Sequence, residues 1–562
     1  MTKVEQWGYV ALILLVFAGA GPVPLSGVEI RPVEGSSGMV VAGHPEAAAI
    51  GLAVLESGGT AMDAAVAMSF ALGVAEPYGS GIGGKCVILY HEAASEITLH
   101  VNGMDVDGQN LDIEALTKAT SLERAQGGLG VGVPGQVAAM ELAHSIWGKM
   151  DWQELLKPAA DLAEKGFLVV PGMPVFFERR IERLRSGDEI RRLYLPDDAV
   201  PEAGARLANP DLARTIRLIA ERGRAGFYEG AVAQAIVDAV QAGGGSLTME
   251  DFSNYEARLS EPLSVDWQDY QLFSSPPPVK GGATVLMVMK MLEKHDWLQP
   301  GTFLRAGNIN DWSHAFRLVY PSIEGALGDH PESLSKWKLL MERQNLQALL
   351  EAMEAPIEAP LVANRSWSYN DECTTHFVVA DRHGNVASVT QSLSHHFGSG
   401  VVAPGAGVIL NNSLKNFNFW EPDSLNSPGP QKQPTSTIAP LILLHEGRPS
   451  LAIGLPGGQR IPTTLVQVLL DQLAFGRTSG EAIASPRVHL SRSFSTEPDS
   501  HLIQLEQALP AEEQAALQEF GWEIEVPEDS EYFGGVAAIE LGPDGWLTGW
   551  ADFRRTNIAA GF

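Results

Sequence analysis

The 562-residue chain has two cysteines, Cys86 and Cys373. Two thiols cannot build a disulfide scaffold or a four-cysteine zinc site, although one bridge between them stays open. Basic residues are also scarce: 39 Lys and Arg stand against 68 Asp and Glu, a net charge of −29. That field opposes non-specific attraction to nucleic acid or anionic lipid, so no nucleic-acid partner is expected. After the first twenty residues no apolar run is long enough to span a bilayer. The start itself reads as an export signal: Lys3, an uncharged stretch over 9–17, then Ala18, Gly19 and Ala20 as the small residues a signal peptidase needs. Residues 1–20 are therefore expected to be removed, leaving a periplasmic or extracellular protein with no stable membrane span; an uncleaved anchor is the alternative, because Glu5 weakens the positive start. What the chain does have is apolar residues, 45% of the total, enough for a large buried core.

Helical patterns dominate the first half. The segment 46–56 is rich in Ala, Leu and Val and stops at Gly58 and Gly59. Thr60 with Asp63 then forms a capping-box arrangement before an apolar run to about Val74. Little charge on any side of that run places it between other layers. Further helices are expected over 136–147, 152–165, 211–222, 231–242 and 283–293. From Thr374 onward the pattern becomes strand, turn, strand. Segments 377–380 and 386–393, 440–444 and 450–455, and 536–541 and 546–551 are each joined by a glycine-containing turn. Between the halves, 354–373 carries Pro356, Pro360 and polar residues without apolar periodicity, and reads as an exposed loop ending at Thr374.

Gly79, Gly81 and Gly84 match G-x-G-x-x-G, yet a helix precedes them and 86–90 reads as a strand after them, the reverse of a dinucleotide site. The same stretch approaches a Walker loop through Gly79, Gly84 and Lys85, with Cys86 where a magnesium-binding hydroxyl is required. A tight structural turn is the expectation. His395 and His396 are adjacent and point apart on a helix or strand, a poor metal pair. The motifs call for no cofactor and no metal. Thr374, Thr375 and His376 remain, at the junction of a polar loop and a buried strand. A threonine hydroxyl is a weak nucleophile unless a base takes its proton, and a free α-amino group on the same residue can be that base. Breaking the Cys373–Thr374 bond would put nucleophile and base on one residue. Taken alone, two threonines opening a strand read as good β-formers.

From about Gly38 to Phe562 the chain resembles the γ-glutamyltranspeptidases, also called glutathione hydrolases, of the N-terminal-nucleophile hydrolase superfamily. Segments 79–84, 133–135, 163–167, 226–230, 247–255, 374–377, 398–400, 407–412, 434–440, 456–460 and 486–489 carry the likeness in order and spacing. The resemblance implies an α/β fold, a four-layer αββα sandwich, formed jointly by two autocleaved fragments. These would be a large chain, 21–373, and a small chain, 374–562, held together as a heterodimer. It implies that Thr374 attacks the carbonyl of a small-molecule amide donor, and that water or an amine acceptor releases the acyl group. Gly457 and Gly458 match the pair whose N–H groups form the oxyanion hole. Ser436 and Thr437 match hydroxyls that contact the donor's carboxylate end, and Thr390 and Ser392 lie on the strand that supports the nucleophile. Turn, capping and β-surface roles are the competing readings.

The departures carry information too. Family members hold the donor's α-carboxylate with an arginine, where Asn102 aligns, and its α-ammonium with an aspartate, where Asn416 stands beside Lys415. The usual polar contacts nearby appear as Ser394 and Ser413. Each lost charge-assisted hydrogen bond is worth about 1.5–3 kcal/mol. An aromatic, Asp, Arg stretch typical of the large chain is not evident around 316–320. Two donor readings follow. One is γ-glutamyl amides such as glutathione, with Lys415 or Arg460 in the arginine's place. The other is a different amide whose acyl part lacks the amino-acid end. An exported scaffold without catalysis is a third reading, opposed by the retention of Thr374, Gly457 and Gly458.

Overall fold

The computed structural model describes residues 30–293, 303–353, 372–491, 502–527 and 533–562. The export signal and residues 354–371 of the expected loop lie outside them. Thr60 caps the helix Ala61–Ala75 as its spacing predicts: its hydroxyl accepts from the Asp63 N–H, and the Asp63 carboxylate accepts from the Thr60 N–H. Every residue of that helix is buried, as its lack of a polar face requires. Helices Gln136–Trp147 and Trp152–Lys165 fall on the expected bounds. Pro210–Arg222, Gly230–Ala242 and Lys280–Leu292 start one to three residues earlier. In the first of these, Pro210 takes the first helical position, where its missing N–H costs nothing, after the Asn209 cap.

The three hairpins form from Glu372–Asp381 with Val386–His395, Leu441–His445 with Arg448–Gly454, and Ala537–Leu541 with Leu547–Ala551. One boundary differs from expectation. The strand that carries Thr374 begins at Glu372, because Glu372 pairs with His395 and Cys373 with Ser394, so strand pairing lies on both sides of Thr374.

Among the described residues two seven-stranded sheets stack on each other. The first runs Ile558–Gly561, Gly38–Ala42, Glu372–Asp381, Val386–His395, Lys85–Glu92, Ile97–Gly103, Arg258–Ser260. The second runs Val33–Gly35, Leu547–Ala551, Ala537–Leu541, Arg448–Gly454, Leu441–His445, Tyr270–Ser274, Leu263–Trp267. Met39, Val41, Val378 and Ala380 of the first meet Ile442, Leu444, Ala452 and Ile539 of the second in an apolar layer between them. The outer face of the first sheet packs on Ala61–Ala75 and its helical neighbours, and that of the second on Lys280–Leu292, Ala306–Ala326 and Arg460–Leu473. Alternating side chains thus bury both faces of each sheet, which gives the four-layer αββα sandwich. Strands from before and after Cys373 interleave in both sheets, so neither segment alone completes either one. Cys86 and Cys373 are buried free thiols, and the bridge between them is not formed. Among the described residues no helix is long and apolar enough to cross a membrane.

Candidate active site

Successive side chains of a strand point to opposite faces. Val378, Ala380, Val386 and Leu89 lie in the layer between the sheets, so Thr374, His376, Thr390, Ser392 and Lys85, in phase with them, face that gap. Thr374 sits at an irregular step of the ladder: Cys373 pairs with Ser394, but Thr375 pairs with Gln391. Such bulges bend a strand and re-aim a side chain. Here the Thr374 hydroxyl donates to Ser392 Oγ at 3.2 Å, and Ser392 Oγ donates to the Cys373 carbonyl at 2.6 Å. The Ser394 N–H holds Ser392 Oγ from a third side at 2.9 Å. One hydroxyl therefore touches both the oxygen that would attack and the carbonyl of the Cys373–Thr374 bond. Thr374 is 5% exposed.

The helix-facing side anchors this step. Thr375 Oγ1 donates to Glu76 Oε2 at 3.0 Å, and the Tyr78 hydroxyl donates to Oε1 at 2.9 Å. Burial pushes the Glu76 carboxyl up, against those two hydrogen bonds and the Arg555 charge. A Cβ on Gly79 would stand 2.8 Å from Thr375 Oγ1 and 3.4 Å from the Thr374 carbonyl, so only glycine lets this turn close over the strand. The turn joins the helix Ala61–Ala75 to the strand Lys85–Glu92, helix before strand, without the geometry of a dinucleotide loop. Burial raises the Cys373 thiol, but His396 and Arg555 outweigh it and hold the thiol below its ordinary value; Arg555 Nη1 lies 3.7 Å from Sγ.

Gly457 and Gly458 have φ of 151° and 58°, between the strand Arg448–Gly454 and the helix Arg460–Leu473. Their carbonyls accept from the Arg460 and Ile461 N–H groups at 3.1 and 3.2 Å; among the described residues neither glycine N–H has a partner. Packing contacts of their neighbours link this turn to the strand that carries Thr374. Gly454 abuts the His376 ring, and Gly457 lies against Gly534, whose neighbour Gly535 packs on Arg555.

The remaining candidates divide. Thr390 bonds His376 Nδ1 at 2.8 Å, and burial lowers His376 to about 3, which keeps that ring neutral. Asn102 is committed within the protein: Nδ2 donates to Gln433 Oε1 at 2.9 Å and Oδ1 accepts from the Met104 N–H at 2.9 Å. Ser436 and Thr437 follow Gln433 in the same segment, and the Ser436 carbonyl accepts from the Lys280 N–H at 2.8 Å. Lys415 donates to Asn416 Oδ1 at 2.9 Å on the turn Ser413–Asn416. Arg460 is buried at the start of its helix. Among the described residues no group of three or more His, Cys, Asp or Glu side chains forms a metal-binding cluster.

Sequence reasoning met Lys85 only as the lysine of a rejected Walker loop and gave it no place in the site. It pairs with Ser392 on the next strand, and its ammonium donates to Ser394 Oγ and, at 2.7 Å, to Ser413 Oγ. Asp105 Oδ2 lies 3.7 Å away and accepts from Ser413. Burial pushes the Asp105 carboxyl up, opposed by the Lys85 charge. The available signal was a lysine opening an apolar strand in phase with residues that face the other sheet.

A family model described as Gamma-glutamyltranspeptidase matches residues 47–562. The glutathione hydrolase proenzyme of Bacillus subtilis (strain 168) is 32% identical, over 98% of this chain and 97% of its own. The Acylase ACY 1 proenzyme of Pseudomonas sp. (strain SE83) is 31% identical, over 95% of this chain and 96% of its own. Among solved structures, cephalosporin acylase from Bacillus halodurans superposes with a TM-score of 0.86 at 26% identity, covering 98% of this chain and 99% of that one.

Proposed function

Since the chain belongs to the γ-glutamyltranspeptidase family, amide-cleaving and acyl-transferring N-terminal-nucleophile hydrolases, we propose that it is made as a proenzyme which cuts itself before Thr374 and then turns Thr374 on external amides. The observation that carries this reading is Ser392 Oγ, in contact with both Thr374 Oγ1 and the Cys373 carbonyl. As Thr374 Oγ1 loses its proton toward Ser392 and attacks the Cys373 carbonyl carbon, the Ser392 hydroxyl polarises that carbonyl. The C–N bond then breaks, the Thr374 nitrogen takes up the proton, and an ester to Thr374 Oγ1 remains. Water hydrolyses the ester, leaving a Cys373 carboxylate and a free Thr374 amine.

That amine next serves as base for its own hydroxyl. Thr374 Oγ1 attacks the donor carbonyl, and the free N–H groups of Gly457 and Gly458 meet the developing oxyanion; one such donor is worth roughly 10²–10³ in rate. The donor's amine leaves with the proton, and water or an acceptor amine resolves the acyl ester. Interleaved sheets keep the two fragments together as a heterodimer after the cut. Export through residues 1–20 is part of the same proposal.

For the donor, the geometry favours amides whose acyl part lacks the α-amino acid end, because Asn102, Lys415 and Asn416 are engaged with protein partners. γ-Glutamyl amides such as glutathione are the second reading, favoured by the likeness to the Bacillus subtilis glutathione hydrolase proenzyme. Denaturing electrophoresis and N-terminal sequencing test the common mechanism. Two fragments are expected, the shorter beginning Thr374, Thr375, His376; a persistent full-length band or another start overturns it.

A further inference from the structure

Strand register puts three polar side chains in one row. Thr374 lies at the irregular step beside Ser392, and Ser392 pairs with Lys85 on the next strand, all facing the gap between the sheets. Two strand spacings separate the ends of the row, about 9–10 Å, the reach of a short acyl chain esterified to Thr374. At the far end stands the Lys85 ammonium, 3.7 Å from Asp105 Oδ2. Lys85 is 1% exposed, and its ammonium is held by the hydroxyls of Ser394 and Ser413. Ser394 adopts φ of 77°, uncommon outside glycine. In that conformation its N–H donates to Ser392 Oγ, beside Thr374, and its hydroxyl oxygen accepts from the Lys85 ammonium. A strained residue that ties two parts of a site together is over-determined by its surroundings.

We infer that Lys85 is the specificity-determining residue of the acyl pocket: its ammonium, presented through Ser394, rejects acyl groups that carry an ammonium at the far end and favours those that end in a carboxylate or carbonyl alone. The chemical class is the monoamides of dicarboxylic acids without an α-amino group. A buried charge is little screened by salt, so an incoming ammonium meets repulsion where an incoming carboxylate gains a charge-assisted interaction. Asp105 moderates this charge from 3.7 Å, a longer contact than the 2.7 Å bond to Ser413. The inference rests on the Thr374 acyl-enzyme proposed above.

The mature two-fragment enzyme is assayed with glutaryl and γ-glutamyl p-nitroanilides, donors that differ only in the α-amino group. Wild type should favour the glutaryl donor by about tenfold or more in kcat/KM. The paired substitution Lys85→Met with Asp105→Asn removes both charges without leaving a lone buried carboxylate, and should cut that ratio about fivefold or more. A wild-type preference for the γ-glutamyl donor, or an unchanged ratio in the paired variant, overturns the inference. If the paired variant does not mature, wild-type inhibition decides: glutarate should bind about tenfold more tightly than L-glutamate, and equal or reversed affinity overturns the inference. An uncut chain inactive on both donors defeats the Thr374 reading itself, which separates the two failures.

Discussion

The Thr374 hydroxyl meets neutral groups, the Ser392 hydroxyl and through it the Cys373 carbonyl, while the Glu76 carboxyl and Arg555 stand on the opposite face of the strand, against Thr375 and Cys373. Two strands away the groups are ionisable, with the ammonium of Lys85 and the carboxyl of Asp105, which burial pushes up to about 7, buried among serine hydroxyls. A neutral end meets charge only while a bond is being made or broken, so its donors stabilise a transition state more than a bound ground state. An end that carries an ammonium beside a carboxyl acts on whatever arrives, before any chemistry. Changes at the first should therefore suppress every donor alike, and changes at the second should redistribute activity among donors.

Thr374→Ala tests the neutral end most severely. It removes the attacking oxygen, so self-cleavage and turnover should both disappear, read as a single full-length band and no product from either anilide. Cleavage that survives would move the nucleophile to Thr375. Ser392→Ala comes next: it removes the donor to the Cys373 carbonyl and the contact to Thr374 Oγ1 together. Fragment appearance should slow roughly 10²–10³-fold, as for loss of one oxyanion donor. Slowing by less than tenfold would detach Ser392 from the chemistry. Turnover by the matured variant that fell for one donor and not for another would blur the division between the two ends.

Much of this architecture was legible because its signals are local. Thr60 with Asp63 announced a helix start, and the turns at Gly384, Gly447 and Gly545 announced three hairpins. The two-residue period from Thr374 to His376 and from Thr390 to Ser392 explains why four polar side chains share a face. Their roles came from resemblance, and geometry then separated them: Ser392 meets Thr374, while Thr390 meets His376. Lys85 was not legible, because Ser394 and Ser413 lie 309 and 328 positions away in the chain. No window of sequence contains that pairing. The strand start at Glu372 was hidden for a similar reason, since pairing with His395 and Ser394 overrides the loop-like composition before Thr374.

The charged end gives a stability prediction. Lys85→Ala removes one partner of a buried pair and strands Asp105, which should cost about 3–5 kcal/mol in urea unfolding. Lys85→Met with Asp105→Asn should cost clearly less, because neither charge is then left buried alone. Equal losses would mean that packing around the lysine stem, not the ion pair, dominates there.

The smallest expected effect concerns how the neutral end stays neutral. His376 faces the same gap as Thr374, bonded to Thr390, and burial lowers it from 6.5 to about 3. The unfolded chain takes up a proton there as pH falls through about 6.5, while the folded chain does not until about 3. Stability is thus complete at neutral pH and lost on acidification across that window. At pH 5 the loss from this one ring is about 2 kcal/mol, at 1.36 kcal/mol per unit. His100, also lowered to about 3 by burial, adds a term of the same sign. His376→Asn should flatten the fall in urea midpoint between pH 7 and pH 5 without abolishing it, because burial also lowers His100, His44, His91 and His489. An unchanged slope would show that the His376 ring is already protonated in the folded protein, and a cation beside Thr374 would erase the contrast between the two ends of the site.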